Sequence, residues 1–151
     1  MTINRRQALG LTAGAIALAA VGLPGRHAWA TPEETQKRIA EFTGGKTPET
    51  GRLTLTAPEI AENGNTVPVS IEVESAMEGD DVVEQVMILA EGNPNPDVAV
   101  FNFSEASGVA AATTRMRLAK TQNVIAVAKM KDGSTFIDQK EVKVTIGGCG
   151  G

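Results

Sequence analysis

From about residue 50 onward the apolar side chains recur mostly at every second position. Leu53 and Leu55 alternate with Arg52, Thr54 and Thr56, and Val67, Val69, Ile71 and Val73 alternate with Pro68, Ser70, Glu72 and Glu74. A period of two lines one face of an extended strand, so both stretches are predicted to be half-buried strands, separated by the turn-prone Glu62-Asn63-Gly64-Asn65. Pro68 has no N–H to give to a ladder, which predicts an edge position for its strand. Val98, Val100, Phe101 and Phe103 form another extended run, ending before a Ser107-Gly108 turn. Over residues 112–119, Thr114, Met116 and Leu118 alternate against Thr113, Arg115 and Arg117. A hairpin follows, from residues 124–130 through an Asp132-Gly133 turn to residues 135–146. In its second arm Val142, Val144 and Ile146 alternate with Glu141, Lys143 and Thr145, so pairing should hold the chain up to Ile146.

Residues 82–90 fit two periods, because Val83, Val86, Met87 and Ala90 also have helical spacing. Their β-branched content and the breaker Gly92-Asn93-Pro94-Asn95-Pro96 decide for a strand. Two runs, residues 86–90 and 124–128, are apolar on both faces, which a sandwich strand with one wetted face does not require. Either they lie deep in the sheet or a second subunit covers one face; we expect such a cover for at least one of them. Ahead of the strands, Thr31, Pro32 and Glu34 have the spacing of an N-cap, a first helical residue and a capping box. Ile39 and Phe42 share a face of this helix and Gly44-Gly45 ends it. It is short enough to need docking on the rest of the chain. About seven strands with turns at regular spacing predict an all-β, immunoglobulin-like antiparallel β-sandwich without the disulfide of antibody domains. The expected divisions are 1–30 export signal, 31–48 helix and linker, 49–146 sandwich and 147–151 a flexible glycine arm.

Arg5-Arg6, an apolar run over residues 8–23 and Ala28-Trp29-Ala30 predict the export signal, of twin-arginine type, with a small-residue cleavage site. The run is short for a membrane span, so no anchor is expected after processing, and the expected location is the periplasm. His27 and Trp29 leave with the signal. The remaining chain of about 121 residues has no histidine, tryptophan or tyrosine and a single cysteine, Cys149. Histidine-dependent triads and imidazole-ligated zinc or copper sites are thereby excluded, and no metal or cofactor is expected. Residues 31–105 hold four basic and fifteen acidic side chains, against seven basic and three acidic in residues 106–151. The net charge of about −7 after processing disfavours nucleic acid and anionic membrane as partners.

The candidate chemistry sits in the last five residues, Gly147-Gly148-Cys149-Gly150-Gly151. A glycine-only end has no side chains with which to bury its cysteine, and glycine lets the sulfur turn freely and enter a narrow slot. Three residues beyond Ile146 reach on the order of 10 Å, enough to present Cys149 inside another protein's cleft. A free thiol is only a few per cent thiolate near neutrality, and neither a histidine nor a basic residue adjoins Cys149 to change that. The pattern points to a covalent carrier whose partners supply the chemistry, not to an enzyme. A ubiquitin-like Gly-Gly carrier using a terminal thiocarboxylate, and a structural sandwich crosslinked through its lone cysteine, are the alternatives. Export away from ATP disfavours the first.

Asn93-Pro94-Asn95-Pro96 leading into Val98-Ala99-Val100-Phe101, the segment Leu118-Ala119-Lys120-Thr121-Gln122 and the terminal Gly-Gly-Cys-Gly-Gly together resemble the SoxY family, the carrier subunit of bacterial sulfur oxidation. The resemblance spans essentially all of the chain beyond the signal. It implies an immunoglobulin-like fold, a SoxZ-like partner subunit, and thiosulfate-derived sulfur held on Cys149 by a swinging arm made of Gly147, Gly148, Gly150 and Gly151. It further implies conjugation by a haem-containing SoxAX enzyme, hydrolysis of the terminal sulfate by SoxB and, where present, oxidation by a molybdenum-containing SoxCD.

Overall fold

The computed structural model describes residues 31–145. The predicted export signal, Ile146, the arm glycines and Cys149 lie outside the described residues.

The chain opens with helix α1 (Pro32–Thr43), capped as its sequence predicts. Glu34 N donates to Thr31 Oγ1 at 3.2 Å and Thr31 N donates to the Glu34 carboxylate at 3.1 Å. Gly44, at φ +65°, takes the left-handed conformation that ends the helix and that a side chain would resist. Eight strands follow: β1 (Leu53–Thr56), β2 (Ile60–Ala61), β3 (Val67–Val73), β4 (Val83–Ala90), β5 (Asp97–Asn102), β6 (Ala110–Met116), β7 (Gln122–Met130) and β8 (Thr135–Val144). They form a three-stranded sheet, β1-β3-β6, and a five-stranded sheet, β2-β8-β7-β4-β5. All pairings are antiparallel except the two-residue match of β2 with β8. The expected sandwich is present, with residues 82–90 extended and the 130–135 hairpin turning at Asp132-Gly133.

The core between the sheets follows the period-two pattern. Leu53, Leu55, Val67, Val69, Ile71 and Val73 from the small sheet meet Val86, Ile88, Val124, Ala126 and Val142 from the large one. The doubly apolar runs of β4 and β7 have a separate explanation. Their other face, Met87, Leu89, Ile125 and Val127, packs under Ile39 and Phe42 of α1. The cover expected from a second subunit is supplied by the chain's own helix, and Arg38 ties that helix to β5 through two bonds to Asp97 at 2.9 and 3.1 Å.

Pro68 corrects the edge reading. Its strand β3 lies in the middle of the small sheet. Successive amides of a strand point to opposite neighbours, and Glu74 N donates to Arg52 O on the β1 side, so position 68 faces that side too. β1 ends opposite Ser70, leaving no strand beside Pro68 to require a donor.

Candidate functional site

The expected arm would continue from the end of the sandwich where β8 stops, and the structure shows how firmly that end is held. β2 runs parallel to the last residues of β8: Lys143 N donates to Glu59 O at 2.9 Å and Thr145 N to Ala61 O at 3.1 Å. Between them Val144 N turns the other way and donates to Thr121 Oγ1 at 3.0 Å. Each of the last three described backbone amides therefore has a partner.

Three loops converge on this point. In the first, Gly64 O accepts from Leu118 N at 2.7 Å. A Cβ on Gly64 would lie 2.5 Å from Leu118 O and 2.9 Å from Val144 Cγ1, so only glycine permits the approach. The second and third loops are joined through Asn93. Its Oδ1 accepts from Ala119 N and from Gln122 Nε2, both at 3.0 Å, and its Nδ2 donates to Arg117 O at 2.8 Å. Gln122, buried at the start of β7, completes the clasp by accepting from Gly92 N at 2.7 Å and donating to Lys120 O at 3.0 Å. The 93–96 and 118–122 segments, remote in sequence, are thus two halves of one polar clasp whose neighbouring Thr121 holds Val144. Sequence reading singled out both segments without seeing their purpose. The signal available was the pair of amide side chains, Asn93 in a Pro- and Gly-rich loop and Gln122 at the start of an apolar strand.

Around the root, Arg117, Lys143, Glu59 and Glu62 are exposed, and none of them is ion-paired among the described residues. Ile60, 57 % exposed, stands beside them on β2. At the opposite end one carboxylate is firmly held. Asp81 accepts from Ala76 N at 2.7 Å and from Arg52 Nη2 at 2.6 Å, and those bonds hold its carboxyl below the usual aspartate range. Among the described residues no group of three or more His, Cys, Asp or Glu side chains is placed to hold a metal, and no helix is long and apolar enough to cross a membrane.

The sequence profile of sulfur oxidation protein SoxY matches residues 39–149, which take in the sandwich, the three loops and the terminal cysteine. The chain belongs to the SoxY family. The structure of the sulfur carrier protein SoxY from Chlorobium limicola f thiosulfatophilum is similar at 30 % identity and a TM-score of 0.63, covering 77 % of this chain and 100 % of that one. The superoxide reductase (neelaredoxin) of Ignicoccus hospitalis shares the fold alone. Its structure has a TM-score of 0.54 at 19 % identity, over 78 % of this chain and 95 % of that one. Curated proteins include none that matches significantly. Within the SoxY match the one thiol is Cys149, the last residue matched.

Proposed function

We propose that this SoxY-family chain is a periplasmic covalent carrier in thiosulfate oxidation, with Cys149 bearing the sulfur and the flanking glycines delivering it to partner enzymes. The observation that carries this reading is the family match running to residue 149, where the chain's single cysteine stands between paired glycines. The similar protein from Chlorobium is itself described as a sulfur carrier. Loading joins the Cys149 sulfur to the outer sulfur of thiosulfate, an S–S bond whose formation releases two electrons to a haem-containing partner of the SoxAX kind. Water then attacks the terminal sulfonate in a SoxB-like site, so sulfate leaves and a persulfide stays on Cys149. Further oxidation of that sulfur belongs to a SoxCD-like enzyme where one is present. No residue of this chain needs to act as base or electron acceptor, which fits a cysteine without histidine or cationic neighbours in sequence. A SoxZ-like subunit completes the carrier.

Intact-mass analysis tests the reading on full-length processed protein incubated with thiosulfate and a periplasmic extract of the source cells. The expected result is a thiosulfate-derived mass on the peptide containing Cys149. A sulfur substitution at the Gly151 carboxylate, or nothing beyond a disulfide dimer, overturns it.

A further inference from the structure

The arm is short and its root is fixed, and together these limit which surface a partner enzyme can touch. Val144 and Thr145 are held by Thr121 and Ala61. Cys149 is five residues beyond Val144, so its sulfur can stand no more than about 20 Å from that anchor even on a fully extended chain. An enzyme that takes the sulfur several ångströms into a cleft uses up part of this length inside itself. What remains brings the rim of the cleft against the end of the sandwich.

Resting on the carrier reading above, we infer that this end face, formed by the 59–65, 93–96 and 117–121 segments, is the docking surface shared by every enzyme that works on Cys149. Its chemistry specifies the partner. Arg117 and Lys143 are exposed cations without ion-pair partners among the described residues, and Glu59 and Glu62 are exposed anions on the β2 side. Ile60 adds an apolar anchor at 57 % exposure, one of three large apolar side chains exposed among the described residues. A complementary rim has carboxylates where it meets Arg117, cations toward β2 and a small apolar socket for Ile60, and the two signs fix how the enzyme sits about the arm. The face is built to keep its shape. Gly64 seats its loop on Leu118 and Val144, and Asn93 locks the other two loops together, so little ordering remains to be done on docking.

The test compares rates of thiosulfate loading onto full-length protein by periplasmic extract, read by intact mass at low and moderate salt. Arg117→Glu should lower the rate at least tenfold and flatten its salt dependence. Arg117→Lys should keep most of it, and Glu78→Lys, on the opposite end, should leave it unchanged. Reaction of Cys149 with a small maleimide and the melting temperature should stay at their wild-type values in all three, since each altered side chain is exposed. If wild type loads and Arg117→Glu loads equally fast, the docking surface is wrong while the carrier reading stands. If wild type never acquires sulfur under these conditions, both fall. A loss in Arg117→Glu matched by Glu78→Lys also overturns the proposal, because the effect is then not particular to this end face.

Discussion

In the proposed carrier the chemistry at Cys149 depends on one sulfur and its access. Cys149→Ser should abolish sulfur loading and leave the melting temperature unchanged, as mass analysis and calorimetry on the same sample would show. Gly148→Val keeps the sulfur but crowds it with a β-branched neighbour and narrows the backbone. It should react with a small maleimide at the wild-type rate yet lose most enzyme-dependent loading. Equal retention of both rates would remove the reason for glycine there. Thr35 offers a test of a different kind. Its hydroxyl is fully buried on the inner face of α1 and has no hydrogen-bond partner among the described residues. Thr35→Val, close to the same shape, should therefore stabilise the fold by about 1 kcal/mol in denaturant titration. Asp81 makes stability depend on pH. Its folded-state pKa is depressed, first by the Ala76 amide and then by Arg52, so its contribution is present above the unfolded value and lost as pH falls through the folded one. Wild type should lose stability on acidification below about pH 4, and Asp81→Asn should show a shallower loss over that window.

At the scale of elements, the period-two runs and the capping box were legible because each is written locally. Alternation in Val67–Val73 already states which face is buried, and Thr31 with Glu34 states where α1 starts. Features that depend on a neighbour were not. Pro68 sits in a middle strand because β1 is short, a fact about residues 53–56 and not about position 68. β2 is two residues long, one exposed and one buried, and exists through backbone bonds to β8, so it has no periodicity to detect. The apolar outer face of β4 and β7 announced a cover but not its source, since Ile39 and Phe42 form too small a stripe to identify their target. The candidate chemistry was read from Cys149 alone, whereas the collar around the end of β8 is made of Asn93, Gln122, Thr121 and Gly64, unremarked as a group until the loops meet. Gly64→Ala should place a methyl group against the Leu118 carbonyl, destabilising the fold by roughly 1–3 kcal/mol and raising amide exchange at Val144 and Thr145. Ile39→Ala should cost about 2–4 kcal/mol and increase self-association, because it thins the cover over Met87, Leu89, Ile125 and Val127.

For the whole molecule, the division of labour is between a packed body and a chemically active end. The body joins two sheets and a docked helix around two apolar clusters. β8 is also a load path. Eight of its ten residues pair antiparallel with β7, in register from Gln122 opposite Val142 to Lys129 opposite Thr135, and its last residues are bonded to β2 on the other side. A pull applied beyond Thr145 in line with β8, as the proposed delivery of sulfur would apply, acts parallel to the strand and across these hydrogen bonds. The ladder is then strained in shear, with its bonds sharing the force, where a pull across the sheet would open them one after another. A carrier tugged repeatedly by its cargo end is anchored in the direction that resists peeling.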